Sequence, residues 1–180
     1  ARLSGEVQGG LSRNLPIVMD GGELWISYTF KEEGPAAEHW SGVTLYNDQG
    51  GEVGFIGKPY NAEFCGISNL PGGDALTDVP YQDANHFLVR IQINGDSSMV
   101  SLWINPDTGD RLDTFDAHGV DSISSIASFS LRRGSASGSA YYDNFWFSSV
   151  PALPPAGAGR VNLMIDDPNR PAELPAWDVI

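Results

Sequence analysis

The sequence predicts an all-β protein, a two-sheet antiparallel sandwich or jelly roll, with an extended Pro-rich C-terminal tail. Three observations lead there. Apolar residues recur at period 2 in stretch after stretch, while Gly, Ser, Thr and β-branched residues interrupt every run of helical 3.6-residue periodicity. Turn-forming Gly, Asp, Asn and Ser separate these stretches at regular spacing, giving about ten short strands. Six of the twelve prolines fall in the last thirty residues, where they rule out a central strand. At 180 residues the chain suffices for one domain, residues 1–150, and a tail, residues 151–180.

Taken in order, the opening L-S-G-E-V and L-S-R-N-L are weak strand candidates broken by Gly9 and Gly10. Residues 23–30 form a clear strand, with Leu24, Ile26, Tyr28 and Phe30 on one face and Trp25, Ser27 and Thr29 on the other. Residues 40–46 and 52–58 read as a hairpin joined by N-D-Q-G-G, where glycine supplies the positive φ of the turn. A shorter strand covers 64–69, and residues 70–83, rich in Pro, Gly and Asp, read as a long surface loop. The hairpin over 85–105 is the strongest signal: Phe87, Val89, Ile91 and Ile93 face Val100, Leu102 and Ile104 across the turn N-G-D-S-S. An acidic loop is expected over 105–119 and a strand over 123–131. The closing strand S-A-Y-Y-D-N-F-W-F covers 139–147. In the tail, R-V-N-L-M-I over 160–165 alternates Val161, Leu163 and Ile165, an isolated strand that must pack on its own domain or pair with another chain.

Acidic residues outnumber basic ones 23 to 10, for a net charge of −13, which argues against nucleic acid phosphates and anionic lipid as partners. No apolar run approaches the roughly 20 residues needed to cross a bilayer as a helix, so membrane insertion is not expected. Cys65 is the only cysteine, which excludes an intrachain disulfide and reads as a small core residue.

Strict alternation along the closing strand places Asp143 on one face with Tyr141, Phe145 and Phe147. A carboxylate in an aromatic face must be hydrogen-bonded, paired with Arg132 or Arg133, or bound to a metal. A second, weaker cation candidate is the loop containing Asp107 and Asp110 with Asp113 and Asp116, whose oxygens are closely spaced but lack the bidentate glutamate of an EF-hand. Rings for stacking on sugars are in good supply. Trp25, Trp103 and Tyr60 are the chosen candidates beside Trp40 and Tyr46, and Trp25 and Trp103 lie opposite the main apolar row of their strands.

The strings E-L-W-I-S-Y-T-F, W-S-G-V-T-L-Y, G-F-I-G-K-P-Y, H-F-L-V-R-I-Q-I, V-S-L-W-I-N-P and S-A-Y-Y-D-N-F-W-F, in this order over residues 23–148, carry a family likeness. They resemble the laminin-G-like or concanavalin A-like jelly-roll domains of secreted and surface proteins of environmental bacteria. The resemblance implies two curved sheets face to face, carbohydrate-binding, adhesive or scaffolding roles, and structural calcium held by a final-strand aspartate with groups of the first strand. Asp143 takes the matching place. Family members carry further strand-bearing sequence before the point where this chain begins, so the resemblance also implies missing front strands and, with them, half of the calcium site.

Glycanases that share this fold carry E-x-D-x-x-E on one strand, since retaining hydrolysis needs two carboxylates about 5 Å apart. None of the eight glutamates here is followed two residues later by aspartate. His39, His86 and His118 have no G-x-S-x-G companion. The expectation is therefore a non-catalytic extracellular or cell-surface module. Its first role would be structural, self-associating or joining another surface protein through strand addition by Val161, Leu163 and Ile165. The alternative role is binding carbohydrate through aromatic stacking.

Overall fold

The computed structural model describes residues 2–4, 9–34, 38–106, 115–134, 139–148 and 178–179. Among them are β1 (Arg2–Ser4), β2 (Gly9–Met19), β3 (Gly22–Glu33), β4 (Trp40–Tyr46), β5 (Glu52–Lys58), β6 (Phe64–Ser68) and β7 (Ala75–Pro80). They continue with β8 (Asn85–Ile93), β9 (Gly95–Ile104), β10 (Ala117–Ile123), β11 (Ile126–Gly134), β12 (Ser139–Ser148) and β13 (Asp178–Val179). A six-stranded sheet runs β1-β12-β3-β8-β9-β10 and a seven-stranded sheet runs β13-β2-β11-β4-β5-β6-β7. Every pair is antiparallel. The all-β sandwich expected from the sequence is the fold observed.

The core is the set of inward rows of the two sheets. Ile26, Tyr28 and Phe30 of β3 and Phe87, Val89 and Ile91 of β8 face Val43, Leu45, Ile56 and Leu131 of the other sheet, all but sealed from solvent. Each such side chain contributes about 1.5–3 kcal/mol by leaving water. Aromatic contacts add direction to this burial: Tyr28 stacks on Phe145 at 5.1 Å, and Phe30 tilts against Tyr142 at 5.5 Å. The β4–β5 turn closes as its residues predict, with the Asn47 Oδ1 accepting from the backbone N–H of Gln49 and Gly51 and Gly50 at φ 78°.

Three expectations are corrected. Residues 75–80, read as loop, form β7, and residues 117–123, read as loop and strand start, form β10. Both are edge strands, where Pro80, Asp78 and Asp121 on the outer side are tolerated because no further strand needs their N–H groups. The edge beside β12 carries β1, which lies at the start of the weak opening strand candidate, with Leu3 opposite Ala140.

The third correction concerns Asp143. Between the pairs Asp143↔Thr29 and Trp146↔Ser27, β12 advances three residues while β3 advances two. The extra residue is a β-bulge at Asn144, which sits at φ 53°, a left-handed conformation that Asn accepts more readily than most residues. The bulge resets the alternation by one. Phe145 and Phe147 therefore turn into the core, whereas Asp143 points outward with Tyr141, not into an aromatic face. Residues 160–165, the expected tail strand, lie outside the described residues. What is described of the tail is β13, paired with Leu11 and Ser12 of β2.

Candidate binding groove

The outer face of the seven-stranded sheet is organised by pleat parity. In β4, Val43 and Leu45 enter the core, so Trp40, Gly42, Thr44 and Tyr46 face outward. Register then decides their neighbours. Arg132 of β11, Gly42, Gly57 of β5 and Gly66 of β6 form one rung across four strands; Ser130, Thr44, Phe55 and Ser68 form the next. Three glycines in one rung bring no side chains of their own, and the Phe55 ring lies over Gly42 while Leu76 lies over Gly66. A Cβ at Gly42 or Gly66 would come within 2.4 Å of a backbone oxygen, that of Ile56 or Ala75 respectively, so these two positions are closed to any larger residue.

The walls are aromatic. Trp40 lies over Gly134, where a Cβ would come within 2.3–2.5 Å of the indole. Phe55, only 5% exposed, meets Trp40 edge to face at 5.8 Å and 80° and backs the wall rather than offering a ring face itself. The Arg132 guanidinium lies 4.8 Å from the Trp40 ring centroid. Tyr60, just beyond the end of β5, is 56% exposed. Polar groups are fixed among these rings: Arg132 Nη1 donates to Glu52 Oε2 at 3.0 Å and to the Tyr46 hydroxyl at 3.2 Å, and Asn69 Nδ2 donates to Glu52 Oε1 at 2.5 Å. Together Trp40, Phe55, Tyr60, Glu52, Asn69 and Arg132 line a cavity of about 260 Å³. Its chemistry is that of rings for C–H faces beside a guanidinium, an amide and a carboxylate for hydroxyls. Glu52 is the one carboxylate among the residues lining it, and it is engaged by Arg132 and Asn69.

A second polar assembly lies directly behind this face. Glu32 is fully buried, with His39 Nε2 at 3.1 Å and Arg133 Nε at 3.5 Å from its Oε1. Lys58, also fully buried, donates to the carbonyls of His39 at 2.7 Å and Pro59 at 3.3 Å. Burial pushes the Glu32 carboxyl up, with Ser41, Arg133 and Lys58 opposing that rise. Burial also lowers the Lys58 amine to about 8, against the pull of Glu32, and raises the Cys65 thiol to about 12. The sequence carried a signal for this cluster. Glu32 continues the inward row Tyr28, Phe30; Arg133 continues Phe129, Leu131; Lys58 follows Ile56.

Of the three ring candidates, the structure brings Tyr60 to the groove, together with Trp40; Tyr46 braces Arg132. Trp25 and Trp103 do face outward, on the six-stranded sheet, but are only 3% and 4% exposed. They stack on each other at 5.8 Å and 18°, Phe115 tilts onto Trp103 at 5.2 Å, and the Arg90 guanidinium lies 5.7 Å from both indoles. Neither offers an open ring face. Phe55, Glu52, Asn69 and Arg132 were missed, because their convergence depends on register among four strands.

Asp143 lines a shallow hollow with Thr29, Lys31, Glu33 and Tyr141, and its Oδ1 accepts from the N–H of Asn144 at 3.0 Å. Lys31 in the same hollow, paired with Glu33 at 2.8 Å, is a cation where calcium would need anions. Among the described residues no group of three or more His, Cys, Asp or Glu is placed to hold a metal. Asp107, Asp110, Val161, Leu163 and Ile165 lie outside the described residues.

No family model matches the sequence, and no curated protein matches it. Among solved structures, the globular domain of T. cruzi calreticulin is similar, with a TM-score of 0.50 over 83% of this chain and 72% of that one. The fold is a two-sheet antiparallel sandwich of jelly-roll type. At 10% identity the likeness is one of fold, and the groove is argued from its own residues.

Proposed function

We propose that this protein is a non-catalytic carbohydrate-binding module of a secreted or cell-surface protein, in line with the laminin-G-like resemblance of its sequence. One observation carries the reading: a cavity of about 260 Å³ on the seven-stranded sheet, lined by Trp40, Phe55 and Tyr60 together with Glu52, Asn69 and Arg132. Sugars need that combination, since their C–H faces stack on rings while their hydroxyls take paired donors and acceptors. The absence of E-x-D-x-x-E supports binding without hydrolysis. The test is a glycan array followed by calorimetry, with Tyr60→Ala as the groove variant and an unaltered fold checked by circular dichroism. Binding by the wild type that Tyr60→Ala weakens supports the reading; no binding across plant, algal and bacterial glycans would overturn it.

A second reading is favoured by a separate observation. β13 pairs with the free edge of β2, more than 150 residues away in sequence, so the tail can add a strand to an open sheet. The same addition between chains would make the module a subunit of an assembly. Truncation after residue 150 with mass measured in solution decides it: a monomer before and after truncation sinks the assembly role.

A further inference from the structure

Three chain positions couple the groove to the buried charges behind it, because pleat parity sends neighbouring residues to opposite sides of the sheet. Arg132 faces the groove and Arg133 faces Glu32; Trp40 faces the groove and His39 faces Glu32. Tyr60 and Pro59 line the groove, and Lys58 is buried beneath them. Trp40 pairs with Gly134 of β11, and the β4–β5 ladder ends at Ser41↔Lys58, so Tyr60 lies beyond the last strand pair between the two segments. Beyond that pair, side-chain contacts with backbone also join them. The backbone N–H of Glu38 donates to Asn61 Oδ1 at 2.6 Å on the outer side, with both residues at positive φ. On the inner side Lys58 Nζ donates to the carbonyl of His39, adjacent to Trp40, and to that of Pro59, adjacent to Tyr60.

We propose that Lys58 is a positioning residue for the groove: its ammonium holds the segments carrying Trp40 and Tyr60 at a fixed separation, and ligand binding weakens when that charge is lost. The proposal rests on the carbohydrate reading. A charged donor makes hydrogen bonds roughly twice as strong as a neutral one, so the two carbonyls are held more loosely by an amine than by an ammonium. The titratable and charged groups around Lys58 are Glu32 of β3, Cys65 of β6 and Tyr81, whose ring centroid is 5.1 Å away. His39, Arg133 and Tyr142 stand around Glu32. Cys65 and Tyr81 are pushed up by burial, away from the neutral range. Lys58, lowered to about 8, is the group whose charge changes between pH 7 and 9.

The sign of the linkage separates positioning from plain stability. The folded chain releases the Lys58 proton near pH 8 and the unfolded chain near 10.5, so between these values the unfolded state binds more protons. This group's contribution to stability therefore rises with pH over that window. Binding should fall over the same window. A residue acting only through global stability would move both in one direction.

The experiment uses the full chain labelled with 5-fluorotryptophan, the Trp40 fluorine signal being assigned through Trp40→Phe. In the wild type that signal is expected to move between pH 7 and 9 with a midpoint near 8, and affinity for a glycan found on the array to fall about threefold. In Lys58→Met the signal and the affinity are expected to be flat over this range, with affinity at the weak level. Should Lys58→Met fail to fold, Lys58→Met combined with Glu32→Gln removes the opposing charges together. A Trp40 signal that does not titrate in the wild type, one that titrates alike in the variant, or an affinity unchanged from pH 7 to 9 overturns the proposal. If no glycan binds, the carbohydrate reading fails by itself, and the fluorine titration still decides whether Lys58 places Trp40.

Discussion

Two groups of aromatic residues face outward from this sandwich, and they have opposite fates. Trp25 and Trp103 stand on the six-stranded sheet, stacked on each other under Phe115 with Arg90 alongside, and water does not reach them. Trp40 and Tyr60 stand on or beside the seven-stranded sheet, where they line a cavity of about 260 Å³ with Glu52, Asn69 and Arg132. Parity assigns a side chain to a face of its sheet; what lies over that face decides whether it becomes core or surface. The largest effect should therefore come from the covered pair. Trp103→Ala is expected to cost about 4 kcal/mol of stability, the range for truncating a buried aromatic, seen as a lower melting temperature, while glycan affinity of the folded fraction stays at the wild-type level. A loss of affinity with stability intact would reverse the comparison and make the six-stranded sheet the binding face.

The next effect probes what keeps the other face open. In Gly42→Ala the new Cβ would meet the Ile56 carbonyl oxygen at 2.4 Å and Phe55 Cζ at 2.8 Å, so strand or ring must shift. A cost of about 1–3 kcal/mol is expected, with weaker glycan binding because Phe55 is displaced. Gly54→Ala is the matched control: its Cβ finds Leu45 Cδ1 at 3.6 Å, an ordinary contact, and both readouts should stay near wild type. If Gly54→Ala and Gly42→Ala behave alike, the glycine rung has no part in shaping the groove.

The third effect lies on binding alone. Tyr60 is exposed and outside any strand, so Tyr60→Ala should leave the melting temperature unchanged within error and lower glycan affinity about tenfold, equivalent to about 1.4 kcal/mol. Set beside Trp103→Ala, it forms a double dissociation measurable by calorimetry and thermal unfolding on the same preparations.

What could be read from the sequence follows the same division between local and long-range causes. β3, β4, β5, β8, β9 and β12 were legible because period-2 alternation is a local property, and the Asn47 turn was legible because its residues close it unaided. β7 and β10 were not. As edge strands they carry Asp and Pro on the unpaired side, which from sequence alone looks like loop. Tyr60 could be proposed as a ring, but its partners Glu52, Asn69 and Arg132 converge only through the register of β11, β4, β5 and β6. Charges such as Glu32, Lys58 and Arg133 read as surface until one sees that each prolongs an inward apolar row.

The smallest effect is expected at Asp143, where the sequence made the strongest demand. Uninterrupted alternation would bury its carboxylate among Tyr141, Phe145 and Phe147, and a carboxylate so placed needs a cation or several donors. One extra residue at Asn144 removes the demand, because it turns Phe145 and Phe147 inward and leaves Asp143 outside, accepting from the Asn144 N–H and sharing its hollow with Lys31. Asp143→Asn should then change stability by no more than about 0.5 kcal/mol, and added calcium should shift the melting temperature of neither form. A bound ion stabilises the native state in proportion to RT ln(1 + [L]/Kd), so even a weak site at Asp143 would show as a calcium-dependent rise in the wild type that Asp143→Asn abolishes. That result would mean that residues beyond those described complete a site around Asp143, and that the bulge aims its carboxylate at an ion.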